Sequence, residues 1–339
     1  MRRPRPTAAG STIAARVVLP VLAAVLLGGC QVVATASSGT SSPTVTSASA
    51  CKSAPDPGVL PDWQPPSTTP PVFPLIIANP GELTCGANRL IFTFLDAKNN
   101  ILSKPTRSAT VAIYDLGRGP STPIDIVEGT FIWAIQDVRG IYVAKVNFPE
   151  AGVYGAEFTT VEAGSTEKAT IRATFSVDTS SPTVQVGAKA PSTKTPIGTD
   201  VGGDLHQIST DPKPDPAFYM VSEAAALAAH QPMVVIFATP KFCTSQQCGP
   251  TLDRIKPFAA KYPSVAFIHV EPYELKLQDG QLQAVLDSNN GLVSNAITTA
   301  WGLTGEPWVF VVDRTGTLTA SLELIFSDAE LTTALDAVK

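Results

Sequence analysis

Few histidines, little positive charge and no long apolar run bound what this 339-residue chain can be. The three histidines, His206, His230 and His269, stand at spacings that form no recognisable metal-ligand set. Lysine and arginine number 24 against 29 aspartate and glutamate. No basic cluster, and no basic patch interleaved with aromatics, occurs, which argues against nucleic acid as a partner. No glycine-rich loop of the kind that cradles phosphates is present, so neither a nucleotide nor another cofactor is expected. The apolar stretch from Val17 to Leu27 is too short to cross a bilayer comfortably.

What is present at the N-terminus is more specific. Arg2, Arg3, Arg5 and Arg16 precede or enter that apolar stretch, which suits the h-region of a signal peptide. The run VLAAVLLGGC places Leu27, Gly28 and Gly29 directly before Cys30 and resembles a bacterial lipoprotein signal. The resemblance implies cleavage of residues 1–29, diacylglycerol on the Cys30 sulfur, and palmitate-type anchoring to the cell membrane with the folded part extracytoplasmic. An ordinary secretory peptide, or a short anchor that happens to contain a cysteine, is the alternative. Arg2-Arg3 hints at folded export, although the following PRPTAAG departs from the twin-arginine pattern.

Removing residues 1–29 takes away four arginines and no acidic residue, leaving 20 Lys plus Arg against 29 Asp plus Glu and a formal charge of −9. Such a surface is not drawn to an anionic leaflet, so membrane association rests on the lipid. Residues 30–71, rich in Ser, Thr, Ala and Pro, read as a lipidated N-terminus followed by a flexible tether that lacks the apolar surface to offset chain entropy. With Cys30 acylated, Cys51 and Cys85 are the cysteines left to this half of the chain. In an oxidising compartment they are expected to form a structural disulfide closing a loop of about 34 residues, the alternative being two unrelated thiols.

The remaining length suits two domains. Over residues 72–179 the signals are short β-rich runs separated by turns: Leu90–Leu95, Ala109–Tyr114, Ile141–Phe148, Gly155–Val161 and Ala169–Val177. They predict an antiparallel β-sandwich. The Pro149-x-x-Gly152-x-Tyr154 turn entering a strand resembles the corner of immunoglobulin-like extracellular domains, which implies that Tyr154 tucks into the core and bonds local backbone. Trp133 is also expected in the core, and the domain reads as a spacer or interaction module. Residues 180–339 begin with an irregular, Pro-rich stretch and then change period. Glu223–Ala229 reads as a helix capped by Ser222, Met233–Ala238 as a buried strand, Leu252–Tyr262 as a helix and Val265–Val270 as a second strand. Leu282–Leu286 reads as part of another helix, Trp308–Val312 and Thr317–Leu322 as a strand pair, and Asp328–Val338 as a helix capped by Ser327. The fold class is thus multidomain α+β.

Residues 186–339 resemble extracytoplasmic thioredoxin-like domains at several places. Val186-Gly187-Ala188-Lys189-Ala190-Pro191 matches the VGxxAP approach, Phe237-Ala238-Thr239 the lead to the redox motif, Pro257 the helix-kinking proline and Gly305-Glu306-Pro307 the place of the cis-proline. The resemblance implies thiol–disulfide exchange or electron transfer with an envelope protein or redox partner, carried by Cys243, Cys248 and Pro307. The spacing departs from the family, since four residues rather than two separate Cys243 from Cys248. Cys243 can hold the nucleophile's place with Cys248 resolving. In the other register, Cys248-Gly249-Pro250-Thr251 overlays the family's Cys-Gly-Pro-Cys. A permanent disulfide in a non-catalytic surface lipoprotein that binds another envelope component is the rival reading. Metal handling is a third, because Sco-type copper chaperones also use two cysteines and a distant histidine, here His269. Lys241 can add positive potential or be an ordinary surface lysine, while Glu271 and Glu274 make no convincing acid/base pair.

Overall fold

The computed structural model describes residues 51–79 and 81–339. Cys30, the signal segment and residues 31–50 lie outside the described residues. The protein is a mixed α+β chain, mostly antiparallel sheet with few helices.

The N-terminal part is built from eight strands: β1 (Phe73–Ile77), β2 (Gly86–Leu95), β3 (Arg107–Asp115), β4 (Asp125–Glu128), β5 (Thr130–Ile135), β6 (Arg139–Phe148), β7 (Gly152–Glu162) and β8 (Lys168–Val177). They form two antiparallel sheets, ordered β1-β2-β6-β5 and β4-β3-β7-β8. Alternation decides the packing, because side chains of a strand point to opposite faces with period two. Leu90, Phe92 and Phe94 of β2 and Tyr142, Ala144 and Val146 of β6 meet Val111, Ile113, Tyr154, Ala156 and Phe158 from the other sheet in one core. Burying each of the large side chains stabilises by about 1.5–3 kcal/mol. Tyr154 is fully buried and its hydroxyl donates to the Glu150 carbonyl at 2.9 Å, so the ring sits in the core and the polar tip bonds local backbone. Trp133 is only half-buried, edge-on to Phe131. The sequence runs leave out β1, β4 and β5; β1 and β4 are short and lack a fully buried residue, and β5 buries only Ile132 and Ala134.

The segment expected as a tether through residue 71 already carries structure from Cys51 onward. Cys51 and Cys85 are disulfide-bonded with Cα atoms 6.1 Å apart. A short 3₁₀ helix, Pro61–Trp63, buries Trp63 against Tyr114 and Leu116. Gly155 permits that approach, since a Cβ there would lie 2.3 Å from the Trp63 ring. One aromatic among polar residues thus supplies enough burial to order the segment, which averaged composition concealed.

The C-terminal part centres on a sheet ordered β10-β9-β13-β14, from β9 (Met233–Phe237), β10 (Ala266–Val270), β13 (Trp308–Val312) and β14 (Leu318–Glu323). β10 runs parallel to β9, and β13 antiparallel to both β9 and β14. β9, β10 and β13 are buried throughout because both faces are covered. On one face, α2 (Cys248–Lys261) and α4 (Asp328–Asp336) bring Leu252, Ile255, Leu331 and Leu335 onto Val234, Ile236, Val309 and Val311. On the other, α1 (Glu223–Ala228) and α3 (Ala296–Trp301) bring Ala226 and Trp301 onto Val235, Phe237 and Phe310. Ser222 and Ser327 cap α1 and α4 as expected, the latter in a reciprocal capping box with Glu330. The irregular stretch before α1 runs along β14, with the Ala188 carbonyl accepting from Leu318 N–H.

Leu282–Leu286 is not helical. Its first residues belong to β12 (Gln281–Ala284), which pairs with β11 (Leu275–Gln278). Asp279 and Gly280 both take positive φ, 52° and 75°, the geometry of a two-residue hairpin turn. The Asp-Gly signal between alternating Leu and polar residues therefore outranks a short leucine spacing.

The two parts share a contact zone. Outward-facing Ile91, Ile132, Ile141 and Val143 of the first sheet pack on Leu324 and Ile325 after β14. Arg89 donates from Nε to Glu330 at 2.9 Å and from its other nitrogens to the Glu323 and Ile325 carbonyls.

Candidate functional site

The connection from β9 to α2 carries both remaining cysteines, and their thiols are free. Cys248 opens α2 and is fully buried, whereas Cys243 is half-buried. The helix has no side-chain oxygen cap: Gln247 precedes it without a capping bond. Instead the backbone N–H of Cys248 donates to Cys243 Sγ at 3.3 Å, so a sulfur accepts one of the orphan donors at the helix start. The four intervening residues make this possible. Gln246 adopts φ 62°, turning the chain back on itself, and Ser245 Oγ lies 3.2 Å from Cys243 Sγ. The left-handed turn at a non-glycine residue costs about 1–2 kcal/mol.

A third segment closes on the pair. Glu306, buried, sits immediately before β13 in a cis peptide bond with Pro307. Its Oε1 accepts from Thr244 N–H at 3.3 Å, its Oε2 from the Tyr273 hydroxyl, and its carbonyl from Ser245 Oγ at 3.3 Å. The sulfurs of Cys243 and Cys248 and a Glu306 carboxylate oxygen all lie within 4.8 Å of one another. Pro307 is buried beside them, and its carbonyl accepts from Leu324 N–H at 2.9 Å. The carbonyls of Glu306 and of Pro307 are thus both engaged internally.

Electrostatically the two thiols are driven apart in acidity. Hydrogen bonding from the Cys248 side chain, helped by Ser245 and by backbone N–H groups, outweighs burial and brings the Cys243 thiol down to about 5. Burial, reinforced by the adjacent Cys243 sulfur, pushes the Cys248 thiol far up. Burial also raises Glu306, and the Cys243 charge adds to that; burial and the bond to Glu306 raise Tyr273. Cys243 is therefore the thiolate of the pair and Cys248 the thiol, with the Glu306 carboxyl raised beside them.

The other expected participants lie elsewhere. His269 is buried on β10 with Nδ1 2.6 Å from the Tyr219 hydroxyl and Nε2 2.8 Å from the Ala238 carbonyl, so both ring nitrogens are occupied. His230 Nδ1 faces the Arg314 carbonyl at 3.3 Å. Lys241 Nζ donates to the Leu282 carbonyl at 2.7 Å, turned toward the β11–β12 hairpin. Glu271 is buried and accepts from Thr210 N–H and Oγ1, making no acid/base pair with Glu274. Glu306 and Tyr273 went unassigned by sequence reasoning. A carboxylate leading directly into the wholly apolar WVFVV strand was the available signal for Glu306, and Tyr273 offered none. Arg139, at the start of β6, reaches the Ser245 carbonyl at 3.5 Å, which brings the sandwich up to the cysteine loop. No protein-family model matches this chain, and no curated protein matches it either.

Proposed function

We propose that this protein is a lipid-anchored, extracytoplasmic thiol–disulfide exchange protein. In this reading its C-terminal part is thioredoxin-like, its sandwich immunoglobulin-like, and its substrates are envelope proteins. The observation that carries the reading is one juxtaposition: a half-buried Cys243 whose sulfur accepts the first N–H of α2, beside a fully buried Cys248 thiol. The two positions divide the chemistry. Cys243, as thiolate, attacks one sulfur of a substrate disulfide, and the other substrate sulfur leaves as a thiolate. Cys248 then gives up its proton and attacks Cys243 Sγ, forming the Cys243–Cys248 bond and releasing the second substrate thiolate. Two electrons pass to the substrate, and the reverse sequence oxidises a substrate dithiol. Stabilising the reduced pair through the Cys243 thiolate favours that reverse, oxidising direction.

Anchoring rests on the Leu27-Gly28-Gly29-Cys30 signal; among the described residues no helix is long and apolar enough to cross a membrane. Intact-mass measurement on the membrane-derived protein should find Cys30 as the first residue, carrying lipid. For the chemistry, Cys248→Ala should accumulate a mixed disulfide at Cys243 with an oxidised peptide, and Cys243→Ala should form none. A reduction potential below about −300 mV with no exchange would instead mark the pair as a structural staple.

A further inference from the structure

We infer that the reduced protein holds one zinc ion between Cys243 Sγ, Cys248 Sγ and the Glu306 carboxylate. The inference does not depend on thiol exchange: it requires both thiols reduced, but no reaction between them.

Geometry is the first argument. A tetrahedral zinc with sulfur at about 2.3 Å and carboxylate oxygen at about 2.0–2.2 Å separates its ligand atoms by roughly 3.4–3.8 Å. The three donor atoms already lie within 4.8 Å of one another, so an inward shift of at most about 1.0–1.4 Å per pair completes the set. They come from three places, namely the loop after β9, the first residue of α2 and the lead into β13, and each place is tied to packed structure. The donor set is the second argument. Two thiolates select a thiophilic cation, while the carboxylate and the tetrahedral shape suit zinc. Two thiolates and one carboxylate against a dication leave a single net negative charge on the occupied site. Each ligand enters as its anion, and the protons it carried leave to solvent.

The surroundings supply the third argument. Metal-bound carboxylates and thiolates are held by outer hydrogen bonds that fix their orientation. Here the Tyr273 hydroxyl and Thr244 N–H hold Glu306, while Cys248 N–H and Ser245 Oγ hold Cys243. Three protein ligands leave a fourth tetrahedral position for water or another small ligand. His269, named only through the copper-chaperone comparison, is not among the donors, since both its nitrogens are bonded elsewhere.

The test titrates zinc into the full chain, reduced and kept anaerobic, against a chromophoric chelator. One equivalent should bind to the reduced protein and none after oxidation of the pair. Glu306→Gln should weaken binding at least ~10-fold, and Tyr273→Phe, which removes an outer hydrogen bond, about 10-fold. Cobalt substitution reads the site without any variant: an intense thiolate-to-cobalt charge-transfer band with tetrahedral ligand-field absorption is expected. Absence of stoichiometric binding, an octahedral cobalt spectrum, or unchanged affinity in folded Glu306→Gln overturns the site. Exchange measured on the same chelator-treated samples separates the two readings. Exchange without zinc binding removes the zinc site alone, and zinc binding without exchange removes the proposed function alone.

Discussion

The pH dependence of the Cys243–Cys248 reduction potential tests the division of the pair into thiolate and thiol most directly. If Cys243 remains a thiolate down to about pH 5 and Cys248 remains a thiol, reducing the disulfide takes up two electrons and one proton across the neutral range. For a two-electron couple each proton contributes about 30 mV per pH unit, so the potential should fall by about 30 mV per unit between pH 6 and 8. Below about pH 5 a second proton is taken up and the slope should double to about 59 mV. Ser245→Ala should move the break. A hydrogen bond to a charged group contributes about 1.5–3 kcal/mol, equivalent to about 1–2 pH units. The Ser245 hydroxyl is shared with the Glu306 carbonyl, so the lower end applies and the break should rise by about one unit. Metal-free protein is equilibrated with thiol–disulfide buffers at each pH, quenched by alkylation and weighed by mass spectrometry. A slope near 59 mV throughout pH 6–8, or superimposable profiles for the two proteins, would refute the reasoning.

Three further outcomes concern stability. Replacing Cys51 and Cys85 together by alanine opens a loop spanning 34 residues and should cost about 3–4 kcal/mol in chemical denaturation. Arg89→Ala leaves the largely buried Glu330 without its partner and should cost about 3 kcal/mol, read as a lowered urea midpoint with unchanged slope; a loss under about 1 kcal/mol would mean that apolar packing alone holds the two parts together. Burial raises the Glu223 carboxyl to about 8, so it folds in its neutral form. Its contribution is complete below the ordinary carboxylate range and is lost as pH rises through about 8. Glu223→Gln, which keeps a neutral group between Thr193 and Trp301, should therefore gain stability over the parent from pH 5 to pH 8, as measured by denaturation midpoints at both values.

Local signals were legible wherever one segment's pattern determined its own environment. Alternation in the GVYGAEF run decided which residues of β7 face the sandwich core, because a strand offers only two faces, whereas LIFTFL is buried on both faces and its pattern marked only the strand. The uninterrupted apolar runs of β9 and β13 required cover on both sides, and Ser222 and Ser327 marked helix starts through their own hydroxyls. Where a choice depended on a partner, the pattern misled. Leu282 follows an Asp-Gly turn rather than a helical period, and Trp63 draws a polar segment onto the sandwich because Gly155 leaves room for its ring.

The sequence by itself determined the presence and proximity of two cysteines after a buried strand, a proline before a later one, and a short apolar run ending in Gly28-Gly29-Cys30. Tertiary structure decided which cysteine is buried and which is the thiolate, because that depends on the N-terminus of α2, on Ser245, and on how far each sulfur is removed from water. It also brought Tyr273 and Glu306 to the pair from segments about 30 and 60 residues away. No local periodicity encodes that meeting: a carboxylate's burial, charge and partners are set by what the rest of the chain packs around it.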